Sequence, residues 1–287
     1  MNQTEQVIFI VVYQTMGFQM NDKFSTYLSG ERLYADDFTI EEIQQWYADE
    51  AEGYADLGAK EKDRYRYGYH QLNNQHAFKF IFNTNFNEAL GVGSAYGEEF
   101  KPIAHNIGRL TILDPSDAFS DVYEIHGTPC RYVKPNPDGR MPFESNKFDL
   151  VTSLGVMHHI PNVSYVMSEC YRCTNDGGMM LLREPIVSMG DWRKHRKGLT
   201  NRERGIPVQI LDEIVRNVGF KIAHRSFCNF PLIPKIANKL GVAACNNTAL
   251  TITDTFLSQI FSWNVKYHRT KLFDKFAPAS VYYVLEK

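Results

Sequence analysis

From residue 88 to the end of the chain, short apolar runs alternate with stretches in which apolar residues return every third or fourth position. The runs are Ala89 to Val92, Leu110 to Leu113, Arg131 to Val133, Phe148 to Ser153, Met179 to Leu182, Phe220 to Ala223 and Ser280 to Leu285. Their brevity and the turn residues around them predict strands. Gly97 to Asn106, Val163 to Thr174 and Val208 to Val218 carry the helical spacing and are predicted as helices. This alternation implies an α/β fold, a doubly wound and mostly parallel seven-stranded sheet with helices on both faces. Such sheets bind ligands beyond the carboxyl ends of their strands, where the strand order reverses.

Before residue 88 the pattern is helical. Thr39-Ile-Glu-Glu42 is a capping box, and Ile40, Ile43, Tyr47, Ala51 and Tyr54 follow at helical spacing. A second helix is expected over about 70 to 82, ahead of Asn83-Thr-Asn-Phe-Asn87. The division that follows is an N-terminal extension and helical cap over 1–87, and an α/β core over 88–287. That core carries a substrate-side insertion between its last two strands. Val7 to Tyr13 is apolar but too short to span a bilayer, and it lacks the basic start of a signal peptide. It is expected as an extra strand or a tail, with Met20 an alternative start of the natural protein.

Composition changes this picture little. Apolar residues make up 44% and charged residues 22% of the 287 positions, as in ordinary globular proteins. A net charge of −2 gives no global pull toward nucleic acid or membrane, so neither is expected as a partner; nothing argues against a homo-oligomer. Five scattered cysteines fit a reducing cytoplasm better than a disulfide framework. Cys170 and Cys173 have metal-ligand spacing, but no second pair follows, so packing on a helix is expected and no metal.

The candidate chemistry begins at Gly93-Ser-Ala-Tyr-Gly97, a turn of small residues between a strand and a predicted helix, where backbone can approach a ligand closely. Dinucleotide sites use the same device. Leu110-Thr-Ile-Leu-Asp114 then ends a second strand on an acid that can accept both ribose hydroxyls of an adenosine, or cap the turn Asp114-Pro115-Ser116.

At this point the chain resembles the class I S-adenosylmethionine-dependent methyltransferases, in their small-molecule branch. The resemblance covers roughly Tyr47 to Phe227. It rests on the glycine turn, on Asp114, on Asn136-Pro-Asp-Gly-Arg-Met-Pro-Phe143, on Phe148-Asp-Leu-Val-Thr-Ser-Leu-Gly-Val-Met-His-His159, and on Asp176-Gly-Gly-Met-Met-Leu-Leu-Arg-Glu184. It implies S-adenosyl-L-methionine as cofactor. The implied cofactor residues are Gly91, Gly93, Ser94, Ala95, Gly97, Asp114, Pro115, Asp138, Ser153 and Leu154, with Asn136 competing with Asp138 for the adenine edge. Two positions depart from the family. Gly91 stands where an acid usually helps hold the methionine end, and Ala95 replaces the middle glycine. Another group or a water must then meet the cofactor's ammonium, and a non-catalytic binding protein is a rival reading. A nicotinamide oxidoreductase is a second rival, though it leaves the His-His and Gly-Gly elements unexplained.

On the substrate side, His159 is the candidate base for an alcohol acceptor, or else a structural residue, and His158 a candidate substrate contact. Glu184 either orients a substrate hydroxyl or pairs with Arg183, itself a candidate substrate contact. Arg193 to Arg204 carries six Lys or Arg within twelve residues. It reads either as an anion clamp, with Arg202 and Arg204 on the substrate, or as a solvated loop. Tyr65-Arg-Tyr-Gly-Tyr-His70 is either an aromatic lid or a seal of helix against sheet. The expected reaction is methylation of a small molecule, with oxygen the favoured atom and a sugar or other anionic, possibly phosphorylated, metabolite the acceptor.

Overall fold

The computed structural model describes residues 24–57, 66–116, 122–200 and 202–287, with side chains of 51–57 excepted. Val7 to Tyr13, Met20 and Tyr65 lie outside the described residues, as do the side chains of Ala51 and Tyr54. Eight strands form one sheet: β1 Phe86–Val92, β2 Ile107–Leu113, β3 Glu124–Ile125, β4 Thr128–Val133, β5 Phe148–Leu154, β6 Thr174–Pro185, β7 Lys221–Cys228 and β8 Ser280–Glu286. Their order is β3-β4-β2-β1-β5-β6-β8-β7. The eighth strand, unforeseen, is β3, a two-residue partner hairpinned onto β4. β8 runs antiparallel to both β6 and β7, and the β4-β2-β1-β5-β6 block is parallel.

The central strands are apolar throughout because both faces are covered. Ala89, Leu90, Leu110, Ile112, Leu150 and Val151 are fully buried, and they divide between two apolar layers on opposite sides of the sheet. The order reverses between β1 and β5, so the turns leaving these two strands face one crevice.

Helix α1, Ile40–Leu57, starts at the predicted capping box. The Thr39 N–H donates to Glu42 Oε2 at 2.8 Å, and the Glu42 N–H to Thr39 Oγ1 at 3.3 Å. Ile43 and Trp46 are buried, whereas Ile40, expected inside, is exposed. The indole N–H of Trp46 donates to the His159 carbonyl at 2.8 Å and so docks the cap on the turn after β5. Helix α2, His70–His76, ends earlier than expected, since Ala77 leaves the helical region and a 3-10 turn, Phe78–Phe80, follows.

The largest local departure is at 97–106. No α-helix forms there; two 3-10 turns, Glu98–Phe100 and Ala104–Asn106, take its place. Pro102 lacks the N–H that a continuing helix would donate to the Glu98 carbonyl. Helices α3, Val163–Cys173, and α4, Val208–Asn217, fall where the spacing put them. Cys170 and Cys173 pack from α3 into the core. The insertion between β7 and β8 holds two helices the spacing did not reveal, α5 Leu232–Leu240 and α6 Thr248–Ile260. No helix among the described residues is long and apolar enough to cross a membrane.

Candidate active site

Two clefts meet at the crevice between β1 and β5. The first, of about 910 Å³ including its mouth, is lined by Tyr47, Val92, Gly93, Ala95, Asp114, Pro115, Met141, Gly155, Val156, His159, Ile160 and Val166, among others. The second, of about 1310 Å³, shares Gly93, Ala95, Gly155, Val156 and His159 and extends past Ser94, Glu99, Leu154, His158 and Arg183 to Tyr67, Tyr69, Asn229 and Ser280.

The first cleft has the materials of an adenosine site. Asp114 is 9% exposed at the end of β2, and its carboxylate accepts the Ser116 N–H at 2.9 Å and the Ala95 N–H at 3.3 Å. A carboxylate has acceptor capacity beyond these two bonds, and burial pushes its pKa up. Facing it is an apolar slot that includes Leu113, Met141 and Val166. Gly93 must stay small: a Cβ there would lie 2.5 Å from Val156, and its φ is +63°. Ala95 occupies the left-handed region at φ 45°, a conformation that costs an alanine about 1 kcal/mol or more. Acid, apolar slot and glycine wall fit S-adenosyl-L-methionine.

Of the other expected cofactor residues, Pro115 lines the first cleft, and Ser94 and Leu154 line the second. Four line neither. Gly91 lies beneath the turn, where a Cβ would fall 2.4 Å from Ser94 Oγ and 2.9 Å from Phe100 and Ile112. Gly97 closes the turn at φ +66° against Ile125. Ser153 is wholly buried within β5. Asp138 accepts its own turn's Arg140 N–H at 2.9 Å, leaving Gly139 to line the cleft. Asn136 is exposed. Glu99 was missed: it is 5% exposed, hydrogen-bonds Ser94, and burial pushes its carboxyl up to about 7. It sits on the predicted helix that did not form, so no spacing signal pointed at it.

The His-His element forms a 3-10 turn, Met157–His159. Glu184, the end of β6, is fully buried and accepts the N–H groups of Val156, Met157 and His158 and faces His158 Nδ1 at 2.8 Å. With its oxygens so occupied, Glu184 holds the turn, and it lines neither cleft. His158 Nε2 lies 3.6 Å from Glu203. Burial opposes the charged His158 ring, yet Glu184 and Glu203 outweigh it and keep its pKa raised. His159 differs: burial, then the neighbouring His158, lowers its pKa, although Nδ1 faces buried Glu50 at 3.4 Å. Glu50 itself stays ionised against burial through His159, Thr200 and the Arg202 N–H.

Much of the basic segment is bonded to protein. Arg204 is wholly buried, and its guanidinium donates to the carbonyls of Tyr34, Met157, His158, Ile160 and Pro161. Arg202 pairs with Asp49 at 2.6 Å and reaches Tyr34 Oη. Arg204 ties the cap to the turn after β5, Arg202 ties its own segment to the cap, and neither lines the second cleft. Arg193 and Lys194 face Asp191. Arg183 alone of the predicted arginines lines that cleft. It is 8% exposed and stacks on Tyr69 at 4.1 Å; one amino group donates to the Leu154 carbonyl, and the other, Nη1, is buried without a partner. Tyr67 and Tyr69 thus lie on the cleft wall.

Residues 90–182 match the methyltransferase domain family. Among solved structures, the [4+2]-cyclase SpnF aligns over 87% of this chain and 97% of its own, with 14% identity and a TM-score of 0.55. An S-adenosylmethionine-dependent methyltransferase from Mesorhizobium loti aligns over 72% and 93%, with 14% identity and a TM-score of 0.48. The N-methyltransferase NodS from Bradyrhizobium japonicum, in complex with S-adenosyl-L-homocysteine, aligns over 76% and 83%, with 10% identity and a TM-score of 0.44. At such identities the likeness is one of fold. No curated protein sequence matches the chain. The fold, the cleft and the methyltransferase-domain match over residues 90–182 support a class I S-adenosylmethionine-dependent methyltransferase, an enzyme whose cofactor is S-adenosyl-L-methionine.

Proposed function

We propose that the protein methylates a hydroxyl of a small acceptor that carries a carboxylate or phosphate. In this reading residues 1–87 are an N-terminal extension and helical cap and 88–287 the catalytic core, and the enzyme works in the cytoplasm, where its five unpaired cysteines stay reduced. Bound cofactor supplies a methyl group already activated on a sulfonium, so the protein aligns the acceptor and takes its proton. His159 borders both clefts and is held by Glu50 through Nδ1. A ring with a lowered pKa is neutral at pH 7, so Nε2 is suited to receive the acceptor's proton as the oxygen attacks. His158, whose pKa Glu184 and Glu203 raise against burial, is less suited to that role. Asp114 takes the ribose, and Glu99 offers the methionine end an acid in place of the one missing at Gly91.

The observation that carries the anionic acceptor is the unpartnered Nη1 of Arg183. A buried guanidinium donor without an acceptor is costly, and an oxyanion in the cleft relieves it. The experiment compares Arg183→Lys and Arg183→Met with the parent on a phosphorylated sugar and its neutral analogue. Preference for the anionic acceptor should fall roughly tenfold or more, with affinity for S-adenosylhomocysteine unchanged. A fall in homocysteine-product affinity instead would assign Arg183 to the cofactor's own carboxylate and sink this reading.

A further inference from the structure

Helix α6 has its amphipathicity reversed. Its inward positions are polar: Thr251, Asp254 and Ser258 are buried, Asp254 accepts the N–H groups of Asn229 and Phe230, and Thr255 Oγ1 lies 3.1 Å from His76 Nε2. Its outward ridge is Ile252, Phe256 and Ile260, 46–64% exposed, and Trp263 prolongs it at 68%. The outer face carries no charged residue, since Asp254 is the helix's one charge. Helix α5, packed on α6, repeats the ridge with Leu232, Ile236 and Leu240. Beyond Trp263, the exposed rings of Trp263 and Phe273 lie 6.2 Å apart. A helix that places apolar side chains outward and polar ones inward is shaped for a second apolar phase.

The charges around the ridges select that phase. Residues 229–279 contain Lys235, Lys239, Lys266, Arg269, Lys271 and Lys275, within a chain of net charge −2. The two acids of this stretch, Asp254 and Asp274, are both buried, and Asp274 is paired with Lys266 at 2.7 Å. Arg269 is tied to the carbonyls of Ala277 and Pro278, which leaves Lys235, Lys239, Lys271 and Lys275 exposed and the rim cationic. A second copy of the chain would set lysine against lysine, whereas an anionic bilayer satisfies ridge and rim together. A tryptophan at the edge of the ridge suits the headgroup boundary.

We infer that the α5–α6 insertion is a docking surface for an anionic lipid bilayer, on which the enzyme lies peripherally. The whole-chain charge gave no hint of this because the patch is local. Asn229 and Ser280, at the two ends of the insertion, line the acceptor cleft, so docking sets the acceptor end of the site beside the headgroups.

The experiment uses the full-length protein and vesicles of phosphatidylcholine alone or mixed in equal parts with phosphatidylglycerol. Sedimentation should recover the protein with mixed vesicles and leave it in solution with pure phosphatidylcholine. Phe256→Ser with Trp263→Ser, both at exposed positions, should weaken binding by tenfold or more. Lys271→Glu with Lys275→Glu should weaken it as well, and the melting temperature and S-adenosylhomocysteine affinity should hold in all variants. Absence of binding to mixed vesicles overturns the proposal. So does a parent dimer, seen by light scattering, that the serine variants dissociate while vesicles bind neither form, because the ridges then belong to a self-association surface.

Discussion

The two clefts are built in different ways. The cofactor cleft is walled mostly by turns that leave β1, β2 and β5, and most of its lining falls between Val92 and Val166. The acceptor cleft is assembled from long side chains of distant segments, among them Tyr67, Glu99, Arg183, Asn229 and Ser280. One is made by backbone geometry within a supersecondary unit, the other by side-chain ties across the whole fold. Backbone turns tolerate change least at their small residues. Side-chain ties let the acceptor wall change without disturbing the cofactor.

Cutting the strongest tie tests this contrast most severely. Arg204→Met removes a buried guanidinium bonded to five carbonyls of the cap and the turn after β5. It should cost on the order of 3–5 kcal/mol in a denaturant titration. A cost near zero would show that the cap stands without it. On the cofactor side, Asp114→Ala should weaken S-adenosylmethionine by about 2–4 kcal/mol in calorimetry, with the fold intact. Unchanged affinity would remove Asp114 from the site.

The residue common to both clefts sharpens the comparison through pH. His159→Gln should lower turnover by roughly a hundredfold and leave cofactor affinity nearly unchanged. The parent's rate should fall only below the ordinary histidine range, because protonation blocks the base and burial lowers its pKa. Glu50→Gln removes the negative partner of the protonated ring, so the acidic limb should move to still lower pH while the rate falls. Loss of cofactor affinity, with turnover at saturation preserved, would make His159 a lining residue only.

The same contrast explains what could be read in the chain. Strands β1, β2 and β5 were legible as short apolar runs because both their faces are buried, and the turn at 93–97 was legible because small residues are required there. Asp114 could be placed because it ends such a strand. Helix α6 escaped because its apolar ridge faces outward over a polar inner face, and α5 because only Ile233 and Ala237 turn inward, too short a stripe to mark a helix. The absent helix at 97–106 turned on a single missing donor, Pro102. Glu184, Arg202 and Arg204 line neither cleft, and one reason hid this from the sequence. A charged residue near a strand end looks alike in sequence whether it faces substrate or the main chain of a neighbouring turn, and only Arg183 is left with an unsatisfied donor.

Gly91 marks a position closed to repair by a single change. The space a side chain would need there is filled by Ser94, Phe100 and Ile112, and Ser94 is in turn bonded to buried Glu99. An acid placed at position 91 would collide with all three before it could reach the cofactor. The position is closed to any side chain unless its neighbours change with it, so Gly91→Asp alone should cost stability without adding an acid to the site.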